Sequence, residues 1–183
     1  KIAERDSKIL ATLILKPKTY YLSTIHRAEN TDDTDRLKNI LSAFKKLDKP
    51  VILPLHPRTK KVLSESLKGF DPSPAVIIGP LPYSDMAVLA KNASAILTDS
   101  GGLQKEAYFL KVPCVTLRDE TEWVETVLSG WNTLTGADED KIIEAIKRIT
   151  TGKPPSNYRE VYGDGNASGK IIDVIASYAF KTV

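Results

Sequence analysis

The chain has 183 residues and a formal net charge of +3, a size typical of one domain with its own hydrophobic core. Hydrophobic residues make up 42% and charged residues 27% of it, which excludes an intrinsically disordered chain. The positive charge is slight and forms no basic stripe with interleaved aromatic residues, so we expect no nucleic-acid partner. No apolar run approaches the length of a bilayer, and the first residues lack the apolar core of a signal peptide, so we expect no membrane partner.

The chain has one cysteine, Cys114, which lies in an apolar run, and two histidines. A single cysteine excludes an internal disulfide and is typical of a reducing, cytoplasmic setting. We expect Cys114 to be a small core residue rather than a nucleophile. The histidines and the cysteine show no ligand spacing, so no metal site is predicted.

Apolar runs of strand length alternate with amphipathic runs of helix length along the whole chain. An isolated amphipathic helix is predicted at 2–15. The predicted strands are 19–25, 51–55, 75–78, 95–98, 114–117 and 133–134. The predicted helices between and after them are 32–47, 57–67, 83–91, 102–110, 122–128, 138–149 and 167–180.

Short continuous apolar strands separated by helices indicate a parallel sheet that is covered on both faces. The predicted fold class is therefore α/β, with a doubly wound, mostly parallel, Rossmann-like sheet in the order 3-2-1-4-5-6. We expect a single domain over 1–183, with a leading helix and linker at 1–18, an α/β core at 19–150, and a loop and C-terminal helix at 151–183. Ligands of such sheets bind where strands one and four end, which predicts that segments 23–27 and 98–102 meet.

The segment 95–107 reads as a buried strand, a hydroxyl with two glycines, and then a helix. The helix start offers unpaired N–H groups and a positive dipole end, which bind phosphate. Gly101 and Gly102 let a ligand approach the backbone closely. Glu106, further along the helix, could accept hydrogen bonds from ribose hydroxyls. The alternative is an ordinary strand-to-helix turn in which Ser100 and the glycines only begin the helix.

His26, Arg27 and Glu29 lie together directly after the first predicted strand. A histidine exchanges a proton near neutral pH and, as an imidazolium, binds a phosphate oxygen, and an arginine binds phosphate bidentately. The alternatives are that His26 is merely a polar residue leaving a strand and that Glu29 bonds to the nearby backbone. Because the glycine fingerprints of the P-loop and of NAD-binding folds are absent, neither of those sites is predicted.

Three further candidates follow other predicted strands. His56 could contact a ligand, although a loop residue packed on Pro57 is the favoured interpretation. Met86 could cover one face of a flat base in the turn after strand three. Arg118, at the carboxyl edge of the sheet, could contact the ligand, although charges there usually begin a solvated helix.

Four ordered segments resemble motifs of the UDP-N-acetylglucosamine 2-epimerase family. Segment 26–30 resembles its His-Arg-x-Glu-Asn motif, 98–107 its Asp-Ser-Gly-Gly-x-Gln-x-Glu segment, 118–122 its Arg-x-x-Thr-Glu segment and 162–165 its closing loop. The resemblance spans nearly the whole chain. It implies a GT-B architecture of two Rossmann-like domains with the active site between them, and this chain resembles only the carboxyl-terminal, UDP-binding domain. The implied partners are a missing N-terminal Rossmann domain, a UDP-sugar substrate and, at full length, a second copy in a homodimer.

The resemblance also implies a role for individual residues. His26 lies in the catalytic cleft beside the diphosphate, and Glu106 binds the ribose. The other implied binding residues are Ser100, Gly101 and Gly102 for the phosphates, Leu81 and Met86 for uracil, Arg27 and His56 in the interdomain cleft, and Glu29 and Arg118. The implied reaction interconverts UDP-GlcNAc and UDP-ManNAc by eliminating UDP and adding it back on the other face, with no metal or other cofactor. The carboxylates that handle the C2 proton belong to the other domain, so we expect this chain alone to be inactive.

Trp123 and Val124 stand where many relatives have Arg-Pro. In having a tryptophan at this place, the chain resembles the branch of the family that acts on UDP-2,3-diacetamido-2,3-dideoxy-glucuronic acid. That sugar nucleotide stays open as an alternative substrate. Other open alternatives are the nucleotide-binding half of a GT-B glycosyltransferase, a hydrolysing epimerase, and a non-catalytic domain that senses nucleotide sugars or docks a partner.

Overall fold

The computed structural model describes residues 7–68, 71, 73–152, 155 and 158–179. Its strands are β1 (Tyr21–Thr24), β2 (Val51–Pro54), β3 (Val76–Ile78), β4 (Ile96–Thr98), β5 (Cys114–Thr116) and β6 (Asn132–Leu134). Its helices are α1 (Ile9–Thr12), α2 (Ala28–Thr31), α3 (Thr34–Lys45), α4 (Pro57–Glu65), α5 (Tyr83–Asn92), α6 (Gly101–Phe109), α7 (Val124–Leu128), α8 (Glu139–Thr151) and α9 (Ala167–Ala179).

The six strands form one sheet in the order β3-β2-β1-β4-β5-β6. Each recorded strand pair is parallel, with Leu22 of β1 aligned to Ile52 of β2 on one side and to Ile96 of β4 on the other. The predicted doubly wound α/β sheet is therefore confirmed, including its strand order. The order reverses between β1 and β4, so the carboxyl ends of these strands form the switch point at which such sheets bind ligands.

Adjacent residues of a strand enter two different cores, one on each face of the sheet. Tyr21 packs with Phe44 of α3 and Ile146 of α8 on one face, whereas Leu22 packs with Leu89 of α5 on the other. This alternation follows from the two-residue period of a strand, and it explains why buried strands read as continuous apolar runs. Cys114 belongs to the second core, as its apolar neighbours predict, and burial raises the pKa of its thiol to about 12.

Two of the predicted helices differ most from the structure. The helix predicted at 32–47 is α3, which begins at Thr34 because Asp33 has extended backbone and its side chain caps the helix by accepting from the N–H groups of Asp35 and Arg36. A separate short helix, α2, precedes it where none is predicted. The opening helix is shorter than predicted and covers Ile9–Thr12. Its extension over 13–15 is wrong, since Ile14 has a φ of 54°, which an α-helix does not accommodate; residues 1–6 lie outside the described part.

The C-terminal helix is present at Ala167–Ala179, and the last predicted position, residue 180, lies outside the described part. Several apolar side chains of α9 are exposed, among them Ile172 at 64% and Ile175 at 62%. A helix with this pattern has an apolar surface that the described residues leave uncovered. Of the helices that the structure describes, none is long and apolar enough to cross a bilayer.

Candidate functional site

A cleft of about 430 Å³ opens at the carboxyl edge of the sheet, at the switch point. It is bordered by the residues that follow β1, β2 and β3 and by the first turns of α6. Segments that are far apart in sequence are thereby brought together, as the predicted topology requires. The predicted site residues in its lining are His26, His56, Leu81, Met86, Ser100, Gly102 and Glu106.

The start of α6 presents backbone donors to this cleft. Ser100 is the N-cap: its Oγ accepts from the N–H of Leu103 at 3.5 Å, and its own N–H donates to Thr98 Oγ1 at 2.9 Å. The first N–H groups of an α-helix have no partner within the helix. Within the described part of the chain, the N–H groups of Gly101 and Gly102 have no recorded acceptor. The positive end of the helix dipole and these donors together make an anion site.

The two glycines of this turn have different surroundings. A Cβ at Gly102 would have open space around it, with Ser100 Oγ as the nearest atom at 3.9 Å. A Cβ at Gly101 would overlap the Glu122 carboxylate and come within 3.2 Å of Trp123 Nε1. Of the two glycines, Gly102 leaves room for a ligand to approach the backbone, whereas a side chain at Gly101 would displace the Glu122 carboxylate.

His26 is half-buried at the end of β1, beside a fully buried carboxylate. Its backbone N–H donates to both carboxylate oxygens of Asp99, and its Nδ1 lies 3.4 Å from Asp99 Oδ1. The ring of His56 is close, with 5.4 Å between the two ring centroids. Burial lowers the pKa of His26 below its usual value; the Asp99 carboxylate acts in the opposite direction, and His56 and Arg27 lower it further. An anion bound beside the ring would favour the imidazolium form.

His56 is both a cleft residue and the N-cap of α4. Its Nδ1 accepts from the N–H of Arg58 at 3.2 Å, and Pro57 occupies the first turn, where a missing N–H costs nothing. The cap fixes the ring in the lining of the cleft, and Nε2 takes no part in the cap. The Arg58 guanidinium donates to both oxygens of Asp32, at 2.6 and 2.7 Å, so it is held outside the cleft.

The wall opposite His26 is formed by the turn after β3 and the first turn of α5. Leu81 and Met86 line it and pack against the second core. Tyr83 stands beside Glu106 of α6, whose carboxylate raises the pKa of the tyrosine. An apolar wall next to a carboxylate is suited to a flat base and the hydroxyls of an attached sugar.

Four of the predicted residues do not line the cleft. They are Arg27, Glu29, Gly101 and Arg118. The Arg118 side chain is 12% exposed and already makes two ion pairs, with Glu29 at 3.0 Å and with Glu122 at 2.9 Å. Glu29 therefore pairs with a side chain that is 89 residues away in sequence, and the alternative that it bonds to the nearby backbone is not what the structure has. This pair braces the loops after β1 and β5 against each other at the rim of the cleft.

Sequence reasoning did not assign a role to Asp99, although it lies inside segment 98–107. Its position directly after a buried strand was the available signal. A carboxylate with 0% exposure requires partners, and those partners lie on the loop after β1, which no local pattern reveals.

A second, larger cavity of about 720 Å³ lies at the opposite, amino-terminal edge of the sheet, bordered by Pro113, Trp131 and Arg148. It contains none of the predicted site residues. Its wall has apolar and basic groups but lacks the helix start and the histidines. Among the described residues, no group of histidine, cysteine and acidic side chains is suited to hold a metal ion.

Comparison with known proteins decides between the folds that share this topology. The family model of UDP-N-acetylglucosamine 2-epimerase matches residues 1–176. The chain belongs to the UDP-N-acetylglucosamine 2-epimerase family. It is 49% identical over 95% of its length to a UDP-N-acetylglucosamine 2-epimerase homolog of Methanococcus maripaludis. It is 45% identical over 86% of its length to a UDP-2,3-diacetamido-2,3-dideoxy-D-glucuronate 2-epimerase of Pseudomonas aeruginosa.

Among solved structures, the chain is similar to the UDP-GlcNAc 2-epimerase of Methanocaldococcus jannaschii in complex with UDP-GlcNAc and UDP. The TM-score is 0.81 and the identity 40%, over 96% of this chain and 50% of that one. The chain also spans 49% and 44% of the two curated relatives, so it corresponds to about half of each. The predicted fold, a Rossmann-like half of a GT-B architecture, is confirmed by these neighbours.

Proposed function

We propose that this chain is the UDP-binding, carboxyl-terminal half of a non-hydrolysing 2-epimerase that interconverts UDP-GlcNAc and UDP-ManNAc. The observation that carries the proposal is the content of the switch-point cleft. A helix start with open backbone donors, a half-buried histidine and a helical carboxylate converge there, and each is suited to a different part of a nucleoside diphosphate.

The assignment of parts follows from chemistry and distance along α6. The diphosphate binds at the N–H groups of Gly101 and Gly102, where the helix dipole favours negative charge. Glu106 lies further along the same helix and accepts from the ribose hydroxyls. Leu81 and Met86 cover the uracil. The diphosphate then lies on the side of His26, which supplies a proton-dependent positive charge.

The role of this half in the reaction is to stabilise a leaving group. Elimination of UDP breaks the bond between C1 of the sugar and the diphosphate, and negative charge develops on the diphosphate oxygen. Donors fixed by folding stabilise that charge without reorganising. A His26 imidazolium and the start of α6 are such donors, and they require no metal or other cofactor. The proton at C2 is handled by groups outside this chain, so the half alone binds substrate and does not turn it over.

The other half of the protein, a second Rossmann domain, is the partner that this proposal requires. The chain spans about half of its curated relatives, and α9 carries apolar residues such as Ile172 and Ile175 that no described residue covers. We assign this face of α9 to the contact with the missing domain. Two further parts complete the proposal. The full-length protein is a homodimer. Its location is cytoplasmic, which the free buried thiol of Cys114 supports.

The ribose role of Glu106 gives the sharpest test on this chain. Glu106→Ala removes the acceptor for the ribose hydroxyls, so we expect the Kd for UDP to rise by about tenfold or more. The Kd for inorganic diphosphate should change by less than about twofold, because the helix start is intact. Isothermal titration of both ligands measures the two values. Glu144→Ala, an exposed position on α8, is the matched control and should bind both ligands like the parent chain.

Equal losses for UDP and inorganic diphosphate would contradict the ribose role. Failure of the parent chain to bind either ligand would contradict the proposal as a whole. Activity from this chain alone would contradict the assignment of the C2 chemistry to the missing half.

The alternative substrate UDP-2,3-diacetamido-2,3-dideoxy-glucuronic acid has an observation of its own in favour. The relative at 45% identity is named as an epimerase for that sugar, and Trp123 lies against the start of α6. Product analysis with the full-length protein separates the candidates. C2 inversion of UDP-GlcNAc supports the first substrate, and inversion of only the diacetamido sugar supports the second. Release of free sugar would indicate a hydrolysing enzyme. Transfer of the sugar to an acceptor would indicate a glycosyltransferase. Binding of the nucleotide sugar without turnover would indicate a sensor.

A further inference from the structure

Asp99 is a fully buried carboxylate that holds the turn bearing His26. It accepts from the backbone N–H of His26 at 3.0 Å and of Arg27 at 2.9 Å, and from Asn30 Nδ2 at 3.2 Å. These partners lie 69 to 73 residues away in sequence. The carboxylate therefore joins the loop after β1 to the end of β4, on the floor of the switch-point cleft.

Burial of an ionised carboxylate is costly unless hydrogen bonds compensate it. Backbone and amide donors satisfy Asp99, but none of them carries a full positive charge. The nearest group able to carry one is the His26 ring, whose Nδ1 lies 3.4 Å from Asp99 Oδ1. The negative charge of Asp99 therefore acts electrostatically on the His26 ring. Such an interaction is strong in the protein interior, where the dielectric constant is low.

We propose that Asp99 is a positioning residue for the reaction: it orients the His26 ring with Nδ1 inward and Nε2 toward the diphosphate, and it sustains the imidazolium that the leaving group requires. The proposal rests on the function proposed above for the cleft. Asp99 itself does not touch a ligand in the cleft, because it is fully buried and does not line the cleft. Its effect on binding must pass through His26.

The direction of the pH dependence follows from the groups around the ring. These are Asp99 after β4, His56 after β2 and the adjacent Arg27. Asp99 favours the protonated ring, and His56 and Arg27 disfavour it. A bound diphosphate also favours the protonated ring, so the pKa of His26 is higher in the complex than in the free chain. Affinity for the ligand should then rise as the pH falls from about 8 to about 5, the range in which histidine titrates.

UDP-GlcNAc is the appropriate probe, because its diphosphate is a diester and does not titrate between about pH 5 and pH 8, the range in which histidine does. In the parent chain we expect affinity to increase as the pH falls over this range. In Asp99→Asn the midpoint should move to lower pH, and affinity at about pH 6 should fall by roughly three- to tenfold. An asparagine keeps one oxygen to accept the backbone N–H groups, so the turn is disturbed as little as possible.

A variant of His26 separates positioning from a merely structural role. In a His26→Gln background, adding Asp99→Asn should change affinity for UDP-GlcNAc by less than about twofold, because the group through which Asp99 acts is gone. An equal loss in both backgrounds would overturn the proposal. Asp48→Asn is the charge-matched control: Asp48 accepts from Tyr21 Oη at 2.6 Å at the other edge of the sheet, and its loss should leave the pH profile unchanged.

Nuclear magnetic resonance of the His26 ring tests the same inference without a ligand. In the parent chain, the neutral ring should carry its proton on Nδ1, and Asp99→Asn should lower the His26 pKa by roughly one unit. A ring protonated on Nε2 in the parent chain would overturn the proposal even if the variant fails to fold. If these spectra agree with the proposal while the parent chain binds no UDP-GlcNAc, the proposed function fails and the inference about Asp99 and His26 stands.

Discussion

At the scale of single residues, the two glycines that begin α6 illustrate how one motif can combine two physical requirements. Gly102 faces open space at the cleft, whereas Gly101 lies against Glu122 and Trp123. The sequence predicts a close approach of ligand to backbone for both. Only the packing of the loop after β5, which lies near Gly101 in the fold, reveals that the missing side chain of Gly101 makes room for Glu122 and Trp123.

Alanine substitutions should separate these two requirements. Gly102→Ala adds a methyl group where the free protein has room, so we expect unfolding free energy to be unchanged or slightly higher, while the Kd for UDP rises by about tenfold or more. Gly101→Ala forces the Glu122 carboxylate away from Arg118, and because the Glu122 side chain of that ion pair is half-exposed, we expect the unfolding free energy to fall by no more than about 1 kcal/mol. Urea denaturation and UDP titration measure both.

Glu122→Ala is the control background: it has no carboxylate to overlap, so adding Gly101→Ala there should change the unfolding free energy by less than about 0.5 kcal/mol. UDP binding by Gly102→Ala at the level of the parent chain would show that the ligand does not approach this turn.

At the scale of elements, strands were more predictable than helix ends. Strands buried on both faces give apolar runs that are read directly, and the strand order is the usual one of a doubly wound sheet with six such strands. The short helix α2, which precedes the predicted helix, was not predictable in the same way. It contains Asn30, a buried side chain that donates to Asp99 and to the Leu117 carbonyl and accepts from Arg36 Nε. Such tertiary bonds leave no periodic signal in the sequence.

The candidate site could likewise be predicted only where local sequence patterns determine it. The helix start, Glu106 and His26 follow from a strand–turn–helix pattern and from the topology. The pairing of Arg118 with Glu29 and Glu122 and the burial of Asp99 depend on loops that meet only in the folded chain.

Helix capping offers a test at this scale on α8, away from the cleft. Asp138 is the N-cap, and its Oδ1 accepts from the N–H of Lys141 at 3.0 Å. Asp138→Ala leaves that donor without its partner, so we expect the unfolding free energy to fall by about 1 kcal/mol. Asp140→Ala in the same first turn loses only the interaction with the helix dipole, which amounts to a few tenths of a kcal/mol when exposed. Equal effects in chemical denaturation would contradict the capping role.

At the scale of the whole molecule, the described part of the chain forms two hydrophobic cores, one on each face of the sheet, and leaves an apolar face of α9 uncovered. Ile142 and Ile146 of α8 are 0% and 2% exposed, whereas Ile172 and Ile175 of α9 are 64% and 62% exposed. Burial of side chains of this kind stabilises a helix by about 1.5–3 kcal/mol each. The stability of α9 should therefore depend on a neighbour outside this chain.

Hydrogen exchange tests that dependence. In the isolated chain, the amides of α9 should exchange at least about tenfold faster than those of α8. In the full-length protein, the missing half should cover α9, and its exchange should slow by a similar factor while that of α8 stays nearly constant. Mass spectrometry of peptides from both helices measures these rates. Equal protection of α9 in the two forms would exclude the contact proposed for it.

The bonds at the floor of the cleft join the two three-stranded halves of the sheet. The hydroxyls of Thr24 and Thr98 are 2.6 Å apart, and Asp99 bonds to the chain after β1; both links cross between the half made by β1–β3 and the half made by β4–β6. The cleft is lined by residues of both halves. It therefore exists only when these two halves are paired. If a nucleotide binds there as proposed, it contacts both halves at once, and we expect it to slow their separation.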